Sequence, residues 1–111
     1  MLTLDFIKNE IKTCLNSDPS VENVILFGSY AKGNPNEDSD IDLLVLLNEK
    51  GINGNYRERM DRSLRIYKLL YPVRKKINVD VIVYTYDEWD FLLSAGSPFL
   101  KDIKDTGIYI Q

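Results

Sequence analysis

The sequence predicts an α/β protein, of the α+β type, in which a small mixed β-sheet is flanked by helices. Segments with helical periodicity alternate with short apolar runs rich in β-branched residues, the order expected when helices pack onto a sheet. The 111 residues suffice for one hydrophobic core but not for two. With 44% hydrophobic and 28% charged residues, the composition is that of a globular protein. We therefore expect one domain that spans residues 1–111.

Two long helices are predicted in the first two thirds of the chain. Residues 3–16 place apolar side chains at helical spacing, and the turn-forming residues that follow end the helix. Residues 56–71 form the second helix, which we expect to stop at Pro72 because proline breaks the interior of a helix. Four apolar side chains share one face of this helix: Met60, Leu64, Tyr67 and Tyr71.

Three strands are predicted between and after these helices. Residues 24–27 form an apolar run that ends at Gly28, residues 40–47 are apolar except for two aspartates, and residues 79–84 are rich in valine. The other predicted elements are a helical turn at 29–32, a polar loop at 34–39, a flexible connection at 51–55, one or two short helices over 87–104 with a break near 96–98, and a closing strand at 107–110.

Histidine and cysteine usage excludes several chemistries. The chain has no histidine, which rules out serine–histidine and cysteine–histidine catalysis and zinc sites that contain histidine. Cys14 is the single cysteine, so no internal disulfide can form and a reducing compartment is indicated. The first residues do not resemble a signal peptide, and no apolar run approaches the roughly 20 residues that span a bilayer. We expect a cytoplasmic protein without membrane contact.

Residues 57–76 carry a basic strip, in which eight arginines and lysines stand against two acids, although the net charge of the chain is −3. Such a strip can bind phosphates or an acidic partner surface, or it can be an ordinary solvated helix face. No recognisable RNA-binding module accompanies it, so we do not expect nucleic acid as a direct ligand.

Three aspartates lie in the predicted strands. Asp40 and Asp42 are two residues apart, so their side chains project from one face, and Asp80 is the single acid of another apolar strand. Burial and repulsion disfavour such charges, and a divalent cation that prefers oxygen ligands would compensate them. Converging carboxylates of this kind form two-metal phosphoryl-transfer sites. Structural roles stay open: Asp42 as an edge residue or loop anchor, Asp80 capping a turn or pairing with Lys75 or Lys76.

The string Gly28-Ser29-Tyr30-Ala31-Lys32-Gly33 follows the first strand. A glycine that leaves a strand, followed by a serine at a helix start, presents backbone amides and a hydroxyl that suit a triphosphate. The spacing of a Walker loop is missing. Taken alone, such a string is more commonly a structural turn.

Taken together, this string, five spacer residues and Ser39-Asp40-Ile41-Asp42-Leu43 resemble the glycine–serine…aspartate-x-aspartate signature of the polymerase-β-like nucleotidyltransferase superfamily. The short length points to its minimal nucleotidyltransferase (MNT) branch. The compound motif covers 16 of the 111 residues, and the order of elements and the strand around Asp80 extend the resemblance along most of the chain. The resemblance implies the polymerase-β-like fold.

The resemblance also implies a role for each residue of the motif. The nucleotide-binding residues would be Gly28, Ser29, Lys32 and Ser39, and the catalytic residues, which also hold two Mg²⁺ ions, would be Asp40, Asp42 and Asp80. A hydroxyl activated with the help of Asp80 would attack the α-phosphate of ATP in line, and pyrophosphate would leave. Lys32 stands where many relatives carry arginine, so it would meet a phosphate as a point charge without bidentate geometry.

A partner follows from the same resemblance. Minimal members are often paired with a HEPN-family ribonuclease toxin in prokaryotic toxin–antitoxin modules, where the minimal protein is an antitoxin that transfers AMP to a tyrosine of the toxin. We therefore expect a Mg²⁺-dependent antitoxin in a hetero-oligomer with a HEPN partner. One alternative is a non-catalytic module that silences its partner by occlusion, through aromatic residues such as Tyr56, Tyr71 and Trp89. Another is transfer to a small molecule.

Overall fold

The computed structural model describes residues 2–51 and 55–111. The elements in chain order are α1 (Leu4–Leu15), β1 (Val21–Phe27), α2 (Ser29–Lys32), β2 (Ile41–Leu47), α3 (Tyr56–Leu69), α4 (Tyr71–Arg74), β3 (Val79–Thr85), α5 (Tyr86–Ser94), α6 (Pro98–Thr106) and β4 (Ile108–Tyr109). The predicted connection at 51–55 falls largely outside the described residues. Within them, no helix combines the length and the apolar character that crossing a membrane requires.

The four strands form one mixed sheet in the order β3-β2-β1-β4, which confirms the predicted fold class. Strand β1 pairs antiparallel with both β2 and β4, whereas β2 pairs parallel with β3. Because of these directions, the end of β1 and the beginnings of β2 and β3 lie at the same end of the sheet. This end carries the residues of the predicted site.

Helices cover both faces of the sheet. Alternate residues of β2, such as Leu43 and Val45, pack under α1, α3 and α4 on one face. Leu44 and Leu46 pack on the other face against α5 and α6, where Trp89 is also buried. Since both faces of β2 are covered, the strand is apolar at nearly every position, as its sequence indicated. The core therefore consists of two layers of side chains, one on each side of the sheet.

Pro72 does not end the helical region, contrary to the prediction. Helix α3 ends at Leu69, and α4 begins two residues later with Pro72 in its first turn. The backbone N–H groups of a first turn have no partner within the helix, so a proline loses nothing there. The predicted end of the second long helix at residue 71 is therefore replaced by a junction between two helices.

The shared face of Met60, Leu64, Tyr67 and Tyr71 is exposed to solvent, and α3 buries Ile66 instead, with Leu70 following it. Among the aromatic residues proposed for a partner surface, Trp89 belongs to the core, whereas Tyr56 and Tyr71 are exposed. Among the apolar residues of α3, Ile66 thus packs in the core, whereas those of the shared face are exposed to solvent.

The basic strip is partly structural. Its ion pairs with the rest of the chain are Arg62 with Glu88 at 3.2 Å, Arg65 with Asp18 at 3.0 Å and with Glu49 at 2.8 Å, and Lys76 with Glu10 at 3.1 Å. Burial alone would raise the pKa of Asp18, but hydrogen bonds from Ser20 and the charge of Arg65 hold it below its usual value. The pairs of Arg62 and Arg65 attach α3 to α5, to the loop before β1 and to the segment after β2, whereas Lys76 attaches the segment after α4 to α1.

Candidate active site

The three aspartates come together at one end of the sheet. The parallel register of β2 and β3 sets Asp42 directly beside Asp80, so both side chains project from the same face. Asp40 immediately precedes β2 and lies two residues before Asp42. On the other side of Asp42, Phe27 of β1 completes the row, and its ring meets Phe99 edge to face at 5.7 Å between centroids. The strand register alone thus places Asp42 beside Asp80, although the two residues lie 38 positions apart in the sequence.

The environment of Asp42 opposes the negative charge of its carboxylate. Burial raises the pKa of its carboxyl, and the charges of Asp80 and Asp40 and a hydrogen bond shared with Asp80 raise it further. Across the described residues, none of the three carboxylates forms a salt bridge with a lysine or arginine. Negative charge is therefore concentrated at this end of the sheet, and no salt bridge among the described residues neutralises it.

The chemistry of this donor set fits a magnesium-type cation. All three groups are carboxylates, the ligands that hard divalent cations prefer, and Asp42 interacts electrostatically with both of the others. In the part of the chain that the structure describes, no three potential ligands are already gathered at the spacing of a single ion. Of the two carboxylates that flank Asp42, Asp40 is half-buried and Asp80 is exposed.

Gly28 connects the glycine–serine loop to the aspartates. Its φ of +79° and ψ of −155° lie in a region that only glycine adopts readily. A Cβ at this position would overlap the Oδ2 atom of Asp42 and approach its Cγ to 3.2 Å. The backbone of β1 can pass this close to the carboxylate only because residue 28 has no side chain.

The other predicted nucleotide-binding residues, Ser29, Lys32 and Ser39, lie in α2 and in the loop before β2. Ser29 opens α2 and is half-buried, and the exposed Lys32 closes it, its N–H donating to the Gly28 carbonyl at 3.0 Å. The Oγ atom of Ser39 accepts a hydrogen bond from the N–H of Asn36 at 2.8 Å, which closes the turn before Asp40. Ser39 therefore shapes the loop that leads into the row of aspartates.

Two clefts open beside Asp40. The first, of about 430 Å³, separates the loop that contains Ser39 from the basic residues at the end of α4, and we call it the loop cleft. The second, of about 400 Å³, lies at the beginning of β3, and we call it the β3 cleft; its lining residues are Asp40, Tyr67, Arg74, Asn78, Val79 and Asp80. Both clefts share Asp40, Arg74 and Asn78, so they adjoin, and we call the two together the groove.

Arg74 is a site residue that the sequence analysis did not single out. Its guanidinium carbon lies 3.4 Å from the centre of the Tyr67 ring, and its Nη1 donates to the Tyr67 carbonyl at 3.2 Å. This stacking fixes the side chain against α3 at the edge of the groove that Asp40 and Asp80 line. The available signal was a cluster of three basic residues shortly before the strand that carries Asp80.

Comparison with known proteins gives a consistent assignment. The family model described as polymerase beta, nucleotidyltransferase matches residues 9–97 of the chain. A relative from Methanocaldococcus jannaschii, named "Putative protein adenylyltransferase", is 48% identical over 105 residues, which cover 93% of this chain and 90% of the relative. The range that the family model matches contains Gly28, Ser29 and all three aspartates.

Solved structures show the same fold. One chain of a toxin–antitoxin complex with AMP-PNP aligns with a TM-score of 0.57 at 23% identity, covering 94% of this chain and 72% of the other. One chain of a complex between tri-AMPylated Shewanella oneidensis HEPN toxin and MNT antitoxin aligns with a TM-score of 0.51 at 20% identity, covering 96% and 71%. At these identities the similarity establishes the fold.

Gly28→Ala should destabilise the protein by roughly 2–4 kcal/mol, because the new Cβ adds an overlap with Asp42 to the strain of its backbone angles. Gly33→Ala is the matched control: its φ is also positive, at +77°, but a Cβ there meets no atom within 4 Å, so we expect a cost of roughly 1 kcal/mol. Denaturant unfolding measures both. Adding Asp42→Ala should recover part of the Gly28→Ala loss; equal costs for the two glycines would contradict the close approach.

Asp42→Asn should raise the melting temperature of the metal-free protein by about 2–5 °C at pH 7. Because the folded pKa of Asp42 is raised, its charge costs stability above that pKa. The advantage of asparagine should shrink as the pH falls and vanish near pH 3, where the carboxyl is protonated in both states. Melting curves in EDTA across this range measure it, with Asp90→Asn on the exposed side of α5 as control. An unchanged or lowered melting temperature at pH 7 would refute the repulsion.

Proposed function

We infer the function of this chain from its family: it belongs to the polymerase β nucleotidyltransferase family and is therefore an enzyme that transfers a nucleotidyl group. We propose that the group is AMP, that ATP is the donor, and that the acceptor is a tyrosine hydroxyl of a HEPN-family ribonuclease toxin. The chain would then be the antitoxin of a toxin–antitoxin pair, forming a hetero-oligomer with its partner in the cytoplasm.

One observation carries this proposal. Asp42 lies beside Asp80 across the parallel strand pair, and the same Asp42 lies against Gly28 across the antiparallel pair. A phosphate bound at the Gly28–Ser29 turn would therefore adjoin the carboxylates. The protein adenylyltransferase name of the 48% identical relative supports protein as the acceptor class. The AMPylated HEPN toxin in the complex of similar fold supports AMP and a HEPN partner.

Each residue has a task in this reaction. The backbone at Gly28, with the hydroxyl of Ser29, would bind the triphosphate, and Lys32 would add a positive charge at the end of α2. Asp40, Asp42 and Asp80 would hold Mg²⁺, which when bound neutralises charge on the phosphates and lowers the cost of bringing the nucleophile close. The Asp80 carboxylate would orient the acceptor hydroxyl and favour loss of its proton.

The bond changes are those of an in-line displacement. A bond forms between the acceptor oxygen and the α-phosphorus of ATP, and the bond from that phosphorus to the bridging oxygen of the β-phosphate breaks. Pyrophosphate leaves with the electron pair of that bond, and the hydroxyl proton passes to solvent by way of the Asp80 carboxylate. Positioning and charge stabilisation supply most of the rate enhancement in such transfers.

The direct test uses ATP labelled on the α-phosphate, Mg²⁺, the purified chain and lysate from its own host. We expect a labelled protein band with the wild type and at least about a 100-fold loss with Asp40→Asn, since phosphoryl transfer depends on the neutralised charge. Asp90→Asn, which removes an exposed acid of α5 that lines neither cleft, should label at the wild-type rate. Mass spectrometry then locates the AMP on the acceptor.

Other outcomes would replace the proposal. Label in the small-molecule fraction alone would assign the transfer to a metabolite. Neutralisation of the toxin by Asp40→Asn as effectively as by the wild type would show that occlusion suffices. Absence of magnesium-dependent ATP binding would contradict the whole assignment of the site.

A further inference from the structure

An exposed apolar stripe runs along α3 and onto the start of α4. Its members are Tyr56, Met60, Leu64, Tyr67 and Tyr71, each between 39% and 70% exposed. They follow one another at intervals of three or four residues, so they share one face of the helix. Single exposed apolar residues are ordinary on a protein surface, but a continuous row of them is typical of an interaction surface.

The stripe leads into the groove of the candidate site. Tyr67 belongs both to the stripe and to the β3 cleft, where it lies with Asp40 and Asp80. From Tyr67 the stripe extends away from the cleft to Tyr56, eleven residues or about 17 Å along the helix axis. A protein lying on the stripe would thus have part of its surface at the cleft.

The stripe meets the candidate site on its β3 side. Gly28 follows β1, whereas Asp80 lies on β3, and β2 with its aspartates runs between these two strands. A nucleotide with its phosphates at Gly28 leaves the β3 side open to the acceptor. In-line transfer requires the nucleophile to enter opposite the leaving pyrophosphate, and the β3 cleft adjoins Asp80 on the side of β2 away from Gly28.

The charged residues around the stripe indicate which kind of partner surface would bind there. Three members of the basic strip pair with acids elsewhere in the chain, as described above. Among the described residues, five members form no salt bridge with an acid: Arg57, Arg59, Lys68, Arg74 and Lys75. Against them stand the two acids of the strip, Glu58 and Asp61. The surface around the stripe is therefore net positive in a chain that is net negative, and it complements an acidic surface.

We propose that the stripe is the docking surface for the acceptor protein, which presents a segment with an apolar face flanked by acidic residues. Arg74, held on the Tyr67 ring, contacts the docked segment where it enters the β3 cleft. Docking delivers the acceptor hydroxyl to Asp80 from the side opposite the phosphates. This inference rests on the proposed transfer of AMP to a protein and adds where that protein binds.

The test compares two double variants with one control in the labelling reaction. Met60→Glu with Leu64→Glu should slow label transfer to the acceptor at least about tenfold, the loss expected when central apolar contacts of an interface are removed. Arg57→Glu with Lys68→Glu should slow it to a similar degree. Phe91→Glu on α5 alters a residue that is 56% exposed, lies outside the stripe and lines neither cleft, so it should keep the wild-type rate.

A second readout isolates docking from the chemistry. All variants should bind magnesium and a non-hydrolysable ATP analogue within about twofold of the wild-type affinity in calorimetry, because none changes a residue of the proposed nucleotide site. Their melting temperatures should stay close to that of the wild type, since the altered side chains are exposed. Loss of nucleotide affinity along with transfer would overturn the assignment to docking.

The remaining outcomes are equally decisive. Wild-type transfer rates in both double variants, or an equal loss in Phe91→Glu, would overturn the docking surface while leaving the proposed function intact. A wild-type dimer that Met60→Glu with Leu64→Glu converts to monomers in sedimentation would assign the stripe to a second copy of this chain. Binding of a single-stranded RNA that the same variant abolishes would assign it to nucleic acid. Absence of transfer by the wild type would instead contradict the proposed function.

Discussion

Repulsion between carboxylates that the sheet holds together is the constraint on which the site depends. The parallel register of β2 and β3 sets Asp42 beside Asp80, and Asp40 lies two residues away. A raised pKa at Asp42 records the cost of this arrangement. The fold tolerates the cost because two apolar layers, one on each face of the sheet, stabilise the strands. Function at this end of the sheet is thus supported by packing elsewhere.

The close contact between the Gly28 backbone and the Asp42 carboxylate is a second constraint on the site, beside the charge repulsion. Gly28 leaves no space between the end of β1 and the Asp42 carboxylate, and Arg74, stacked on Tyr67, closes the groove from the α4 side. Asp40 lines both of the clefts beside it, and Asp80 lines the β3 cleft. A nucleotide and an acceptor arriving from the two sides of β2 would meet there, which is the geometry that an in-line transfer requires.

Local patterns predicted the strands, the tail helices and the aspartates, because apolar runs and the i, i+2 spacing of Asp40 and Asp42 depend on neighbours in sequence. Only the resemblance to a known family predicted that Asp42 and Asp80 lie together, because strand register is set by long-range packing. For the same reason, the sequence does not predict that Met60 and Leu64 face solvent. Their spacing places them on one face of the helix but does not determine which face of the helix packs on the core. Arg74 was missed because its role depends on its position over Tyr67, which no local pattern records.

We propose above all that the three carboxylates act together to hold the cations that make transfer possible. Titration of Mn²⁺, observed by electron paramagnetic resonance in the presence of a non-hydrolysable ATP analogue, tests it most directly. We predict about two tightly bound ions per chain for the wild type, and loss of at least one with Asp80→Asn. Two ions bound with unchanged affinity after that substitution would contradict the claim, because Asp80 would then not belong to the site.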